Sequence, residues 1–360
     1  MLNDILPISL WNEQLTDDHL FIAGPCSAES HEQMMETARL IRKIPNVKGF
    51  RAGIWKPRTR PGSFEGIGEQ GLAWLQEVKQ ETGLLTATEV ANPEHVELCL
   101  KYGVDILWIG ARTTGNPFSV QEIANALQGS DPIILVKNPT NPDLDLWIGA
   151  LERVHKAGIR RIGAIHRGFY PFEKTRLRNI PKWEMVIELK RIYPNLPIIG
   201  DPSHIAGNPD FIEEISQKAL DLNYNGLMIE SHIQPHLAKS DAAQQVTPQW
   251  LSEMMHRLQV RTELSDNPSI MDTLEQFRQQ IDSIDHQLIE LLAQRCDISR
   301  KIGEYKQEHN LSIFQLRRWE NIIQSRMKHG KELNLPDEHL MKMLQIIHKM
   351  SIQLQSHGEE

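Results

Sequence analysis

Four side chains in the 360-residue sequence carry metal-ligand chemistry at or near the ends of apolar runs. Cys26 closes "LFIAGPC", His204 closes "LPIIGDPSH", Glu230 stands in "GLMIESH", and Asp241 follows in "HLAKSDAAQQ". A thiolate, an imidazole and carboxylates together suit a borderline divalent ion such as manganese, iron, cobalt or zinc better than magnesium or calcium. Singly each signal is weak, since a lone cysteine at a strand end is more often a small buried hydrophobe. His232, two residues past Glu230, competes with His204 and has its own bland reading as a packed or solvated ring. A second set is cationic: Arg51, Lys56, Arg58, Arg112, Lys137 and Arg167 fall at or just beyond the ends of other apolar runs. Guanidinium forks and lysine point charges gathered in this way demand phosphate or carboxylate. The stretch "KPRTRPGSFEG" holds Lys56, Arg58 and Thr59 on a turn stiffened by two prolines and two glycines, and it reads as a phosphate clasp. The chemistry these residues fit is the joining or cleaving of small phosphorylated acids with a divalent metal as Lewis acid.

Such residues need a scaffold that brings strand ends together. Short apolar, β-branched runs bounded by Gly, Pro or Asn occur eight times: "LFIAGPC", "VKGFRAG", "LLTATEV", "ILWIGAR", "IILVKN", "IGAIHR", "LPIIGDPSH" and "GLMIESH". Between most neighbours lies an amphipathic stretch, such as "HEQMMETARLIRKI", long enough for a helix that crosses back to a parallel strand. Eight βα units over about 250 residues predict an α/β fold, a (β/α)8 TIM barrel, across residues 1–262. An open doubly wound sheet usually places a Gly-rich phosphate turn after its first strand, and "GPCSAES" is not one. Barrel closure sets strand eight beside strand one, so Cys26, His204 and Glu230 come from three neighbouring strands on the face where barrel active sites lie.

After Arg261 the strand signals cease, and the polar segment "TELSDNPS" predicts a linker over 263–269. From Leu274 onward apolar residues recur at steps of three and four through Tyr305, which predicts one amphipathic helix of about 35 residues with a coiled-coil-like seam. Two further helices are expected over 315–329 and 336–355, giving a small all-α three-helix domain over 270–360. A unit of this size has little core of its own, so a homodimer through the long helix is expected. Arg295 interrupts the apolar seam, and a buried guanidinium is costly without an anion. Lys306 lies nearly three whole turns further on, so the two cations can address one ligand. Arg278 falls roughly a quarter turn off that face and can serve the pocket of a partner subunit. The competing reading is a dimerisation helix whose arginines pair with acids such as Glu290 or Glu304.

Composition narrows the class. A net charge of −8, from 39 basic and 47 acidic residues, argues against nucleic acid or an anionic membrane as the main partner. Three widely spaced cysteines fit a reducing compartment. The start "MLNDILPISLW" lacks a basic region and no run reaches the ~20 apolar residues of a membrane span, so a cytoplasmic, unprocessed protein is expected.

The motifs "AGPCSAE", "RAGIWKPRTRPGSFEG", "WIGART", "ILVKNP", "AIHRGF", "GDPSH" and "MIESH" followed by "KSD" resemble, in order, the 3-deoxy-D-arabino-heptulosonate 7-phosphate synthases of the shikimate pathway. The resemblance implies condensation of phosphoenolpyruvate with erythrose 4-phosphate and water, releasing phosphate, with one divalent metal ion as cofactor. It implies Cys26, His204, Glu230 and Asp241 as metal ligands. Arg51, Lys56, Arg112, Lys137 and Arg167 match residues that grip phosphoenolpyruvate, and Lys56, Pro57, Arg58 and Thr59 match the motif that seats erythrose 4-phosphate. The related octulosonate 8-phosphate synthases, which use arabinose 5-phosphate, carry Ala-Asn-Arg-Ser where this chain has "PRT". Glu89, in "TEV", is a possible proton handler beside the reacting water or an orienter of the neighbouring cations.

The stretch "LEQFRQQIDSIDHQLIELLAQRCDISRKIGEYK" resembles the first helix of the all-helical chorismate mutases, which rearrange chorismate to prephenate. On that resemblance Arg278 of the partner subunit, Arg295, Lys306, Arg318, Ser351 and Gln355 contact the dicarboxylate, and Lys306 with Gln355 stabilises the breaking ether oxygen. Gln315 stands where a carboxylate is common, and Trp319 where a glutamate usually meets the substrate hydroxyl. Relatives of the synthase often carry an N-terminal regulatory domain, for which the segment before Leu20 leaves no room. Prephenate or chorismate feedback through the helical tail is therefore expected. The alternative is a tail that only dimerises or senses ligand.

Overall fold

The computed structural model describes residues 2–56, 62, 64–172, 175–261 and 267–356. The chain divides into two compact units, Met1–Glu263 and Leu264–Glu360. In the first, eight parallel strands close into a barrel in chain order: β1 Leu20–Gly24, β2 Val47–Arg51, β3 Leu85–Val90, β4 Ile106–Ile109, β5 Ile133–Lys137, β6 Ile162–His166, β7 Ile198–Gly200 and β8 Gly226–Glu230. All are buried nearly end to end, as strands covered on both faces must be.

The helices between them are α1 His31–Ile41, α2 Gln70–Thr82, α3 Pro93–Lys101, α4 Ala111–Thr114, α5 Pro117–Ala126, α6 Leu144–Lys156, α7 Trp183–Ile192, α8 Pro202–Ala206, α9 Ile212–Asp221 and α10 Pro248–Arg257. Several begin on a cap-then-proline pair: Asn92-Pro93, Asn116-Pro117, Asp201-Pro202 and Thr247-Pro248 each give a side-chain acceptor to the first free N–H groups. Proline then fills a position whose N–H has no intrahelical partner. The GxGxxG spacing at Gly66–Gly71 leads into α2 after the second strand and marks no dinucleotide fold.

The barrel's inside is packed. Ile8, Trp11 and Leu15, from the segment before β1, join Leu20, Ile22, Ile106, Trp108, Ile133, Leu135, Ile165, Ile199 and Met228 in one apolar cluster. Closure requires a glycine at its seam. Gly226 pairs with Leu20 and has φ +146°, and a Cβ there would lie 1.9 Å from the Leu20 carbonyl oxygen. The β1–β8 register then sets Gly24 opposite Glu230, so the chain leaving β1 toward Cys26 starts beside that carboxylate.

The second unit is three helices: α11 Pro268–Glu308, α12 Leu316–Glu332 and α13 Asp337–Gln355. The first is 41 residues long and starts on an Asn267 cap, earlier than its apolar seam alone suggests. Along it Phe277, Ile281, Ile284, Leu288 and Leu291 are each more than half exposed within one chain. No described helix is long and apolar enough to cross a membrane.

At the end of β6, His166 is wholly buried, with Nε2 donating to the Pro181 carbonyl at 2.5 Å and Nδ1 2.9 Å from the Tyr224 hydroxyl. Burial, with the nearby Arg167 charge, brings its pKa down to about 4. The unfolded chain therefore takes up this proton first. The stability contributed by neutral His166 is complete above about pH 6.5 and is lost as pH falls from there through about 4, by roughly 3 kcal/mol in all. Urea unfolding of the barrel at pH 7 and pH 4.5 should show most of this loss in the wild type, and His166→Phe should lose about 2 kcal/mol less between the two pH values.

Candidate active site

Two layers of side chains meet at the carboxyl ends of the strands. The lower layer is buried. Cys26, Arg51 and Glu230 are buried to within one per cent. Cys26 Sγ lies 3.2 Å from Ser240 Oγ, 3.5 Å from Asp241 Oδ2 and 3.1 Å from Lys56 Nζ, while its backbone N–H donates to Gln245 Oε1 at 2.9 Å. Ligand atoms of Cys26, Glu230 and Asp241 all fall within 4.8 Å of one another. His204 is outside that trio but adjacent, its Nε2 3.8 Å from Glu230 Oε1.

His204 does not end β7. It rides on the short helix α8, capped by Asp201, whose Oδ1 accepts from the His204 backbone at 3.2 Å and meets ring Nδ1 at 2.9 Å. Pinning Nδ1 leaves Nε2 directed at the site, the usual second partner of a metal-binding histidine. Burial opposes the Asp201 charge, yet His204, Lys137 and Arg51 around it hold it well below the usual carboxylate range. Lys137 Nζ reaches Asp201 Oδ2 at 2.8 Å.

Glu230 Oε2 accepts from Gln244 Nε2 at 2.6 Å. Oε1 has Arg51 Nη2 at 3.1 Å but no aligned hydrogen bond among the described residues, and Arg51 Nε and Nη1 are equally unpaired. Arg51 also lies over the Trp108 ring, 4.8 Å from its centroid. Buried polar atoms left open in this way are costly. Burial, reinforced by the Glu230 charge, pushes the Cys26 thiol up to about 12. A thiol, two carboxylates and a free imidazole nitrogen around an unsatisfied oxygen fit a divalent cation, which would displace the thiol proton.

The upper layer is an open cleft of ≈ 330 Å³ lined by Lys56, Glu89, Ala111, Arg112, Lys137, Thr140, Arg167, Tyr170, Arg178, Asn179, His204 and Asp241. Arg112 stands on α4 and Arg167 just past β6, where Arg167 Nη1 donates to Asn179 Oδ1 at 2.9 Å. Burial, together with the charges of Arg178 and Arg112, brings Arg167 down to about 10, still cationic at neutral pH. Glu89 Oε2 accepts from Trp108 Nε1 at 2.9 Å. Room for Glu89 comes from Gly110, where a Cβ would lie 2.2 Å from Oε1.

Arg51 belongs to the floor, not to the lining. Pro57, Arg58 and Thr59 lie outside the described residues. His232 is buried beside Glu29, 4.0 Å away, and takes no part in the trio. Arg178, which donates to Asp241 Oδ1 at 3.1 Å and contacts Gln244, escaped the sequence reading, as did Asp201, Gln244, Gln245 and Ser240. "DPSH" contained the one usable clue, an Asp three residues before a ligand-type His.

In the helical unit Arg295 Nη1 donates to Ser351 Oγ, and Lys306 Nζ donates to Gln355 Oε1 at 3.0 Å and to the Ile313 carbonyl at 2.6 Å. Gly303 is the close approach between α11 and α13, since a Cβ there would lie 2.8 Å from Gln355 Cα. Arg318 is exposed on α12. Arg278 pairs loosely with Glu275 at 3.7 Å and lies seventeen residues before Arg295 along α11, about 25 Å by helical rise.

A family model described as the DAHP synthetase I family matches residues 13–266, and one described as chorismate mutase type II matches residues 277–356. The chain belongs to the DAHP synthetase I family. It joins that family's barrel to a chorismate mutase domain and is a bifunctional enzyme. Phospho-2-dehydro-3-deoxyheptonate aldolase of Thermotoga maritima is 32% identical over 237 residues, 66% of this chain and 68% of that one. A 2-dehydro-3-deoxyphosphooctonate aldolase of Wolinella succinogenes is 26% identical over 270 residues, 68% of this chain and all of its own. The crystal structure of the Thermotoga maritima DAHP synthase superposes with a TM-score of 0.60 at 31% identity, covering 67% of this chain and 68% of that chain.

The thiols of this DAHP synthetase family member should separate by reactivity. Cys26 and Cys99 are buried, and burial first of all pushes each to about 12, while Cys296 is half-exposed. In chelator-treated folded protein at pH 8, mass spectrometry after brief alkylation should find Cys296 modified first, with Cys26 and Cys99 far slower because they are buried and almost wholly protonated. Equal labelling of all three before unfolding would contradict the placement of Cys26.

Proposed function

We propose that the barrel condenses phosphoenolpyruvate with erythrose 4-phosphate and water to 3-deoxy-D-arabino-heptulosonate 7-phosphate and phosphate, and that the helical unit rearranges chorismate to prephenate. The observation carrying the first part is the cleft's layering, with cations lining it and metal-ligand side chains at its base. Cys26, His204, Glu230 and Asp241 would hold a divalent ion, manganese, iron, cobalt or zinc by their donor types. When bound, such an ion would supply Lewis-acid polarisation of the sugar aldehyde.

The chain's own residues do the rest. Arg112, Lys137 and Arg167 bind the phosphate and carboxylate of phosphoenolpyruvate, and Arg51 holds the floor charge of Glu230 in register beneath them. Lys56 Nζ, also donating to the Cys26 carbonyl at 3.0 Å, sets the first residue of the erythrose 4-phosphate motif at the base of the site. Glu89, with one oxygen fixed by Trp108, takes the proton of the attacking water. The same barrel family includes octulosonate synthases, and the sequence "PRT" is what favours the four-carbon sugar here.

In the helical unit Arg295 and Ser351 bind one carboxylate of chorismate, with Arg318 closing over it. Lys306 and Gln355 face the breaking ether oxygen, where negative charge builds, and no covalent step is needed. Arg278 serves the site of a second copy, because one chain separates it from Arg295 by some 25 Å of helix. The exposed apolar face of α11 supports that homodimer. Prephenate bound there would act back on the barrel, with no nucleic acid or membrane involved and the cytoplasm as the site of action.

Phosphoenolpyruvate consumption should require erythrose 4-phosphate, proceed poorly with arabinose 5-phosphate, and vanish with chelator. Cys26→Ala should lower it at least about 1000-fold while chorismate turnover stays within about twofold. Loss of both activities, or faster consumption with arabinose 5-phosphate, would contradict the assignment. A chain ending at Arg261 should lose any inhibition by prephenate; full activity with the full response would rule out the tail as sensor.

A further inference from the structure

His348, Ser351 and Gln355 stand at successive steps of three and four on α13 and so share one face. The second and third already have cationic partners from α11, Arg295 and Lys306 respectively. His348 differs. Its Nε2 is shut off from solvent and meets no hydrogen-bonding group among the described residues. The ring is nevertheless held in place: it stacks on Trp319 with centroids 3.9 Å apart and planes 12° from parallel, and Phe314 sits against it at 6.1 Å and 57°. A buried ring nitrogen without a partner is costly. Here that atom is fixed by aromatic packing on the face that carries the Arg295 and Lys306 contacts. Burial, then the Arg295 charge, holds the imidazole below its ordinary pKa.

We infer that His348 is a further ligand-contacting residue of the helical unit, its Nε2 hydrogen-bonding a carboxylate or hydroxyl oxygen of the cyclic dicarboxylate held by Arg295 and Lys306. Trp319 is a positioning residue that sets the ring. The inference rests on the chorismate mutase reading and deepens it. His348 adds directional recognition of an oxygen to a site otherwise built of cations and amide, and a flat ring packed on indole can donate in one direction only.

The test uses the full chain, with chorismate turnover and calorimetric binding of prephenate as readouts and the unfolding midpoint of the helical unit as the folding control. His348→Phe keeps the stacked ring and removes the nitrogen. It should lower kcat/KM and weaken prephenate binding by about 10- to 100-fold, as one lost hydrogen bond to a charged group implies. His348→Gln, whose amide nitrogen reaches the Nε2 position, should recover to within about fivefold on the same scale. Trp319→Leu should produce a loss of its own that does not add to that of His348→Phe, and Trp319→Phe should restore activity. A His348→Phe chain with wild-type kcat/KM and binding overturns the inference while leaving the mutase reading intact. Equal losses in His348→Phe and His348→Gln that track a lowered unfolding midpoint also overturn it. A wild-type chain that neither binds prephenate nor converts chorismate overturns the mutase reading, and the inference with it.

Discussion

The barrel's active face depends on one buried carboxylate. Glu230 ends β8 with no solvent exposure, and a charge taken out of water to that degree must be answered by its surroundings. Arg51 answers from the end of β2, Gln244 from the loop after β8, and His204 from across β7. These answers are incomplete, since Glu230 Oε1 and two Arg51 nitrogens lack aligned partners among the described residues. The open Glu230 oxygen, with a second carboxylate, a thiol and an imidazole around it, is arranged for a cation, while the open Arg51 nitrogens are donors and play no part in that. Barrel closure makes the arrangement possible, because the β1–β8 register delivers Cys26 beside Glu230 and Gly226 permits the two strands to meet.

Above that base the charge reverses. Arg112, Lys137, Arg167 and Arg178 crowd one cleft, and burial, then repulsion from Arg178 and Arg112, holds Arg167 below an ordinary guanidinium. Positive charge held close together before any ligand arrives is costly in the free enzyme, and an anionic substrate offsets it on binding. Asp201 links the layers: it binds Lys137 of the cleft on one oxygen and the His204 ring on the other. A change in either layer is therefore felt by the other through a single carboxylate.

Much of this was legible in the sequence, for identifiable reasons. Eight buried strands read as eight apolar runs because parallel strands covered on both faces have no polar side to hide. The helix starts at Asn92-Pro93 and Thr247-Pro248 are local chemistry and visible as such. Cys26, His204, Glu230 and Asp241 could be named because each sits at or soon after such a run. What escaped is what tertiary contact creates. Arg178 lies between turns with no periodicity, and only the fold brings it to Asp241. His204 on a helix of its own, not on a strand end, depends on the Asp201 cap. The burial of Arg51 beneath the cleft follows from which way β2 turns its last side chain, and the stacking of His348 on Trp319 joins two helices that the sequence separates by a loop.

The helical unit follows the same logic with less burial: cations on one long helix meet small or amide side chains on another, and Gly303 lets the backbones approach closely enough for Lys306 and Gln355 to share a contact. In the barrel, Cys26, Glu230, Asp241 and His204 are the proposed ligands of one divalent metal ion. Cobalt(II) titration of the chelator-treated protein, followed by absorption spectroscopy, tests this most directly. Thiolate ligation by Cys26 should give a sulfur-to-cobalt charge-transfer band that saturates at one equivalent per chain and is lost in Cys26→Ser. A band that persists unchanged in Cys26→Ser, or a wild-type protein that binds cobalt with no sulfur transition, would contradict it.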